Sequence, residues 1–248
     1  MKISVVLPIL NEEKIIVTTI KKLITKLSRI CTQYEIIAVN DGSEDNTIKK
    51  LKKLQKNYQN LTIIDHKVNK GYGAAFQSGV RVAKYEWILF IDSDMQFDVN
   101  DLDKFIQHIT ANDFIIGYRS KRADNIKRIV ISKVYNYIVS LLFGLKITDI
   151  DCAFKLMKKS SIQKLGRLPN SFFISTALLV KAISSEVIIK ELSVKHLPRT
   201  KGSSTVTLAQ VIRTMKDLAV IYTQLTLNQF FTNFYLLINK FSTEKKYE

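Results

Sequence analysis

Residues 87–94 read Trp87-Ile88-Leu89-Phe90-Ile91-Asp92-Ser93-Asp94, an apolar run as long as a buried strand that ends on two carboxylates two residues apart. On a strand, side chains at i and i+2 point the same way, so Asp92 and Asp94 can aim at one point. No basic residue adjoins them, and the pair repels itself unless something positive is bound. Mg²⁺ or Mn²⁺ answers that need: both are hard cations that take oxygen ligands and commonly hold substrate phosphates as well. The plainer alternative makes one Asp a helix cap and the other a solvated turn residue.

Upstream of that run, strand and helix signals alternate. Short apolar runs at 3–8, 34–40 and 61–66 precede the one at 87–91, the pattern of parallel strands covered on both faces. Between the first two, Ile16, Ile20, Leu23, Leu27 and Ile30 recur at helical spacing. A second helix follows the cap-forming Asp45-Asn46-Thr47 and carries Ile48, Leu51 and Leu54, and a third is predicted from 73 to about 83. Alternating β and α units predict an α/β layered sheet that binds ligands at the carboxyl ends of its strands.

Beyond a further strand at 113–117 the pattern changes. Residues 125–143 predict a helix that is apolar around most of its circumference, with a narrow polar stripe of Asn125, Arg128, Ser132, Asn136 and Ser140. The segment 152–158, a short strand at 187–194 and a helical tail at 207–240 complete the chain. The simplest partition is one domain over 1–205 with a helical extension over 206–248.

The 248 residues are 46% apolar, enough for one substantial core. Lys and Arg number 38 against 22 Asp and Glu, and the resulting +16 calls for an anionic partner: nucleic acid, a membrane surface or a polyphosphate. Residues 119–167 hold twelve Lys and Arg against three Asp, which places +9 of the +16 in one fifth of the chain. Cys31 and Cys152 are too few and too distant for a zinc cluster or a disulfide framework, and reduced cytosolic thiols account for them. The strand pattern begins at Ile3 with no leader-like segment before it. The longest apolar tract, 218–238, is broken by Thr223, Gln224, Thr226, Asn228, Gln229, Thr232 and Asn233, so it does not read as a membrane span. The expected place is cytoplasmic, in solution or peripheral on the membrane.

Three more polar clusters fall at predicted strand ends. Asn11-Glu12-Glu13 follows the first strand and opens its helix, where acidic residues suit the helix dipole. Asn40-Asp41-Gly42-Ser43 follows the second as a turn and helix cap, with Asp41 placed to accept hydrogen bonds from a nucleobase edge or ribose hydroxyls. Asn69-Lys70-Gly71-Tyr72-Gly73 follows the third. Its glycines permit close backbone approach, and Lys70 adds charge near a helix start, where phosphates bind well.

In order, Leu7-Pro8-Ile9-Leu10-Asn11-Glu12, Val39-Asn40-Asp41-Gly42-Ser43, Asn69-Lys70-Gly71-Tyr72-Gly73-Ala74-Ala75 and Ile91-Asp92-Ser93-Asp94-Met95-Gln96 resemble family 2 glycosyltransferases of the GT-A fold. Within that family the likeness is to polyprenyl- or dolichyl-phosphate sugar synthases. It continues through Gly117-Tyr118-Arg119, Arg128 with Ser132, and Asp149-Ile150-Asp151-Cys152-Ala153-Phe154-Lys155, and covers about residues 1–205.

The resemblance implies a Rossmann-like, mostly parallel sheet with helices on both faces. It implies that Pro8, Leu10, Glu12 and Asp41, with Lys70 and Gly71 nearby, form the nucleoside pocket for a UDP- or GDP-sugar. Asp92, Asp94 and Gln96 would hold Mg²⁺ or Mn²⁺ against the diphosphate, with Ser93 beside them in the donor site. Arg119, Arg128 and Ser132 would meet phosphates of donor or acceptor. Arg128 and Ser132, four residues apart on the polar stripe, can converge on one group. His196 and Arg199, on a loop with Gly202-Ser203-Ser204, either close over the diphosphate or are solvated. Single displacement with inversion is the implied reaction.

Breaking the anomeric C–O bond builds positive charge on the sugar and negative charge on the leaving diphosphate, which a metal offsets. A hydroxyl acceptor needs a base beside it. A phosphate monoester, with a second pKa of about 6, is largely dianionic at neutral pH and does not. Relatives within the family often carry an acidic residue where this chain has Ala177. Its absence leaves Asp149 or Asp151 as the base if one is required, Asp149 being the better match.

The basic segment at 119–167 and its apolar helix suit polyprenyl phosphate as acceptor, reached from the cytoplasmic membrane face; otherwise the helix belongs to the core. The tail, with Phe230, Phe231, Phe234, Tyr235, Leu236 and Leu237, offers a second interfacial element or a homo-oligomer contact. Two rival readings stand beside this one: a glycan hydroxyl acceptor, and a non-catalytic nucleotide-sugar or membrane-binding module. A nucleic-acid binder explains the charge but not the acidic strand ends.

Overall fold

The apolar runs upstream of Asp92 become neighbouring parallel strands. In the computed structural model, which describes residues 1–123, 126–198 and 216–223 apart from the side chains of residues 127 and 128, they are β1 (Lys2–Ile9), β2 (Gln33–Asp41), β3 (Leu61–His66) and β4 (Trp87–Phe90). Their spatial order is β3-β2-β1-β4, and all three pairings are parallel. Both faces of β1 are buried, which is why its sequence is apolar throughout rather than alternating. Ile3, Val5 and Leu7 pack with Ile16, Ile20, Leu51 and Leu54 of α1 (Ile16–Ile30) and α2 (Thr47–Gln55). Val6 points the other way and meets Gly79 of α3 (Tyr72–Val82). Strand order reverses at β1, so the crevice between the carboxyl ends of β1 and β4 is the switch point where open α/β sheets bind ligands. Asp92 and Asp94 follow β4 directly.

The sheet continues past β4 through β6 (Lys155–Lys158), β5 (Phe114–Arg119) and β7 (Ile189–Val194) to seven strands. β6 runs antiparallel to β4 and β5, with Lys155 opposite Phe90 and Ile116, while β5 and β7 are parallel. Because β6 is reversed, its beginning lies on the edge where the other strands end, and residues 149–154 join the site there. Lys155 holds that segment: its fully buried ammonium donates to the carbonyls of Ile150, at 3.1 Å, and Cys152.

α4 (Leu102–Ile106), α5 (Ile126–Phe143), α6 (Lys159–Lys164) and α7 (Ile174–Ser184) complete the described part of the first unit. The two short helices carry no readable period. α7 is buried around its whole circumference from Ile174 to Val180, Ser175 and Thr176 included, so it shows no amphipathic stripe either. Residues Met1–Thr205 and Val206–Glu248 are separate compact units. Of the second, 216–223 is helical, and the rest of the tail expected at 207–240 lies outside the described residues. No helix among the described residues is long and apolar enough to cross a membrane.

Candidate active site

The loops after β1 and β2 interlock through short polar side chains. Asn11, in the left-handed region at φ 54°, donates its N–H to Ser43 Oγ (2.9 Å) and accepts Glu44 N–H on Oδ1 (2.9 Å). Glu12 is buried and donates its N–H to Thr47 Oγ1 (2.9 Å), while its carbonyl takes the N–H groups of Ile15 and Ile16 and starts α1. Pro8 is buried opposite Val39, and Leu10 is half-buried just beyond the strand. Pro8, Leu10, Glu12 and Asp41 thus lie at two adjacent strand ends.

Asp41 itself faces inward. Its Oδ1 accepts Lys70 N–H (2.9 Å) and meets His66 Nδ1 (2.7 Å), and its Oδ2 accepts Gly71 N–H (2.9 Å). The residue is buried, and its carboxylate orders the loop after β3. The expectation for the start of α3 is corrected. Gly73 and Ala74 donate their N–H groups to the Asn170 carbonyl at 2.9 and 3.2 Å, so the helix terminus is closed by the chain rather than open to phosphate. A Cβ at Gly71, which sits at φ 103°, or at Gly73 would run into the carbonyls of Asn170 and Pro169. The glycines serve this loop-to-loop contact. Lys70 is exposed at the same edge.

Around Asp92 and Asp94 the chain supplies positioning groups. Tyr72 Oη donates to Asp92 Oδ1 (2.6 Å), and its ring stacks on Phe172 with centroids 5.2 Å apart. Thr19 Oγ1 of α1 donates to the carbonyl of the buried Ser93 (2.8 Å). Gln96 N–H closes a turn onto Asp94 Oδ1 (3.0 Å) around Met95, at φ 60°. Burial and then the charge of Asp94 push the Asp92 carboxyl up to about 6, against the opposing hydrogen bond from Tyr72. Desolvation and the same two carboxylates raise the Tyr72 hydroxyl well above its ordinary range.

A pair of oxygen donors that raises its own pKa fits a hard divalent cation. No cluster of three acidic, His or Cys ligands exists among the described residues, so the remaining coordination would come from diphosphate oxygens and water. Gln96, expected beside the metal, also makes a structural tie. Its Nε2 donates to the Leu197 carbonyl (3.3 Å), and its own carbonyl takes Leu197 N–H (2.8 Å), which ties the acidic loop to the segment after β7. His196 pairs with Phe97 in an isolated bridge and accepts Ala123 N–H on Nδ1 (3.2 Å), so it is part of this seam rather than of a solvated loop.

Arg119 and Asp149, expected at a phosphate and as a base, are joined to each other. Nε reaches Oδ2 at 2.6 Å, Nη2 reaches Oδ1 at 2.7 Å, and the Arg119 N–H adds a third bond at 3.1 Å. Their side chains are 8% and 7% exposed. Burial alone would raise the Asp149 carboxyl, but the hydrogen bonds and charge of Arg119 outweigh it and hold it below the usual carboxylate range. Arg119 is driven further toward its charged form. A carboxylate so held is a weak base. Asp151 is exposed.

α5 is oriented inside out. Ile126, Ile131, Tyr137 and Leu141 are 77%, 62%, 69% and 73% exposed, whereas Ser132 Oγ and Asn136 Oδ1 are closed from solvent and have no hydrogen-bond partner among the described residues. Asn136 Nδ2 donates to the Thr148 carbonyl (3.3 Å), and Tyr135 Oη bonds Thr176 Oγ1 of α7 (2.6 Å). The described part of the polar stripe, Ser132 and Asn136, therefore faces the domain. The Arg128 side chain and the whole of Arg199 lie outside the described residues. Tyr72, Asn170, Phe172 and His66 are site-shaping residues that sequence reasoning missed. Only Tyr72, between two glycines after a strand, carried a local signal.

A dodecaprenyl-phosphate galacturonate synthase of Rhizobium johnstonii is 27% identical over 222 residues, covering 88% of this chain and 65% of that protein. An undecaprenyl-phosphate 4-deoxy-4-formamido-L-arabinose transferase of Proteus mirabilis is 26% identical over 226 residues, covering 90% and 68%. The chain thus spans about two thirds of the length of these curated relatives. Among solved structures, a glucosyl-3-phosphoglycerate synthase from Mycobacterium tuberculosis, in complex with Mn²⁺, uridine-diphosphate-glucose and phosphoglyceric acid, superposes with a TM-score of 0.66 at 15% identity. That match covers 87% of this chain and 76% of that one, and it shares the GT-A fold. The sequence profile of glycosyl transferase family 2 matches residues 4–166, and the chain belongs to that family.

Proposed function

We propose that this protein transfers a sugar, with inversion, from a nucleotide diphosphate donor to polyprenyl phosphate at the cytoplasmic face of a membrane. The observation that carries this reading is α5, with Ile126, Ile131, Val134, Tyr137 and Leu141 outward and Ser132 and Asn136 inward. A helix presenting that much apolar surface matches an apolar environment outside the domain. Nearby Lys and Arg would add roughly 1 kcal/mol each at an anionic surface. Both curated relatives are named for polyprenyl phosphates, which supports the same acceptor class.

In this reading Pro8, Leu10 and Glu12 line the nucleoside end, and Asp41 orders the loop that carries Lys70. Asp92 and Asp94 would hold Mg²⁺ or Mn²⁺, which when bound supplies Lewis-acid relief of the charge on the departing diphosphate. The Mn²⁺ and uridine-diphosphate-glucose of the mycobacterial structure are in keeping with that role. Ser132, with Arg128 and Arg199, takes the acceptor phosphate, and Arg119 holds Asp149 beside it. A phosphate dianion needs no base, and the weakly basic Asp149 favours that acceptor over a glycan hydroxyl. The 206–248 unit serves as a second interfacial element, with pairing of two copies as its alternative use.

The test is transfer from labelled UDP- and GDP-sugars to polyprenyl phosphate in the presence of Mn²⁺, followed by mass spectrometry of the organic phase. A lipid-soluble, mild-acid-labile glycosyl phosphate is expected. Transfer to oligosaccharide acceptors alone would replace the lipid reading. Nucleotide binding without transfer or hydrolysis of any donor would leave a binding module.

A further inference from the structure

The three-residue chain Asp41, His66 and Ser78 plays no part in the acceptor chemistry above, yet every link in it is made. His66 ends β3 and is buried. Its Nδ1 lies 2.7 Å from Asp41 Oδ1 and its Nε2 lies 3.0 Å from Ser78 Oγ on α3. Asp41 also accepts the peptide N–H groups of Lys70 and Gly71, both at 2.9 Å. A carboxylate that already takes two peptide N–H groups can only accept, so Nδ1 carries the hydrogen and Nε2 is left facing the serine hydroxyl. Ser78 sits two turns into α3, past the point where the loop ends. The imidazole therefore bridges the rigid helix to the carboxylate that holds the loop.

We infer that His66 is a positioning residue for the donor: through Asp41 it fixes the Lys70–Gly71 peptide, and so the place of the exposed Lys70 ammonium at the nucleotide end of the site. This rests on the reading of that edge as the donor site. The geometry gives each ring nitrogen a different task. Nδ1 orients the carboxylate, whereas Nε2 only anchors the ring to α3. Loss of the first frees Asp41 to turn and the loop to move. Loss of the second leaves the loop's own bonds in place.

Two amide substitutions separate these tasks. Asn at 66 puts a donor near the position of Nδ1, and Gln puts one near Nε2, although Gln fills the buried volume better. UDP and GDP, each with Mn²⁺, are titrated into wild type by calorimetry, and the nucleotide that binds is carried to His66→Asn, His66→Gln and Ser78→Ala. Expected are about tenfold weaker binding for His66→Gln, with donor KM raised to match and kcat at saturation within twofold, and near-wild-type binding for His66→Asn and Ser78→Ala. Hydrogen exchange at the Lys70 and Gly71 amides should rise in His66→Gln and not in His66→Asn.

Equal binding by the two amide variants, or weaker binding by His66→Asn than by His66→Gln, overturns the inference, because packing alone would then decide. A fall in kcat at unchanged KM overturns it as well. If wild type binds neither nucleotide, the donor-site reading falls and takes this inference with it.

Discussion

Two carboxylate sites share one edge of the sheet and are built on opposite electrostatic plans. At the end of β4, Asp92 stands beside Asp94 and accepts a hydrogen bond from a tyrosine hydroxyl, and its pKa is pushed up to about 6. At the end of β5, Asp149 is enclosed by a guanidinium in two parallel bonds and is held below the carboxylate range. In the proposed reading the first site takes up an external cation. The second is already neutralised from within. The first is thereby suited to take up a counter-charge, and the second to keep its geometry.

Substitutions can break that contrast, and the largest effect is expected at the first site. Asp94→Ala should lower kcat for sugar transfer by about 10⁴-fold, or about 5.5 kcal/mol, while the circular dichroism and unfolding midpoint stay close to wild type. Retained turnover would remove the metal assignment.

At the closed site the loss should appear in stability instead. Arg119→Ala leaves a buried carboxylate unpaired and should cost about 3–5 kcal/mol in denaturant unfolding. The double variant Arg119→Ala with Asp149→Ala should recover part of that loss, since no charge is then stranded. A double variant less stable than the single one would show that the pair does more than neutralise itself.

Asp92→Asn sharpens the contrast with a change of sign. A carboxyl whose folded pKa is raised contributes stability that is fully present below the unfolded value of about 4 and is lost as pH rises through about 6. Without metal, the Asn variant should therefore melt higher than wild type at pH 8, by roughly 2–4 °C for about 1 kcal/mol, and the gap should close by pH 4. Wild type alone should gain stability from Mn²⁺. That gain should fade as pH drops through about 6, where protons compete for Asp92. A Mn²⁺ response independent of pH would contradict the mutual repulsion of the two carboxylates.

The two sites also differ in how much of them the sequence discloses. The position of Asp92-Ser93-Asp94 is legible because what marks it is local, a buried run and its end, although β4 stops at Phe90 and Asp94 lies in a turn, so the strand alternation expected to aim both side chains does not reach them. The same locality makes β1 to β4 and α1 to α3 readable. Arg119 and Asp149 lie 30 residues apart, and nothing in either neighbourhood says that they meet. Asp41 was legible as a strand-end acid but not as a loop clamp, since its partners are peptide N–H groups that leave no trace in residue type. Gly71 and Gly73 signalled close approach correctly, and only the structure identifies what approaches, the backbone at residues 169–171. α7 escaped notice for the opposite reason: a helix buried on every side has no period to detect.

The reversed strand has a consequence for synthesis of the chain. β4 is laid down by Phe90, but its outer edge is covered only when Lys155–Lys158 pairs with it, about 65 residues later. At roughly 5–20 residues per second, a growing polypeptide would carry an uncovered, fully apolar strand for several seconds, next to the loop that bears Asp92 and Asp94. An open apolar edge is a template for pairing with other chains. The acidic loop that ends β4 and the Lys-rich helices already folded on β1 and β2 are what such a nascent chain has to keep its neighbours at a distance.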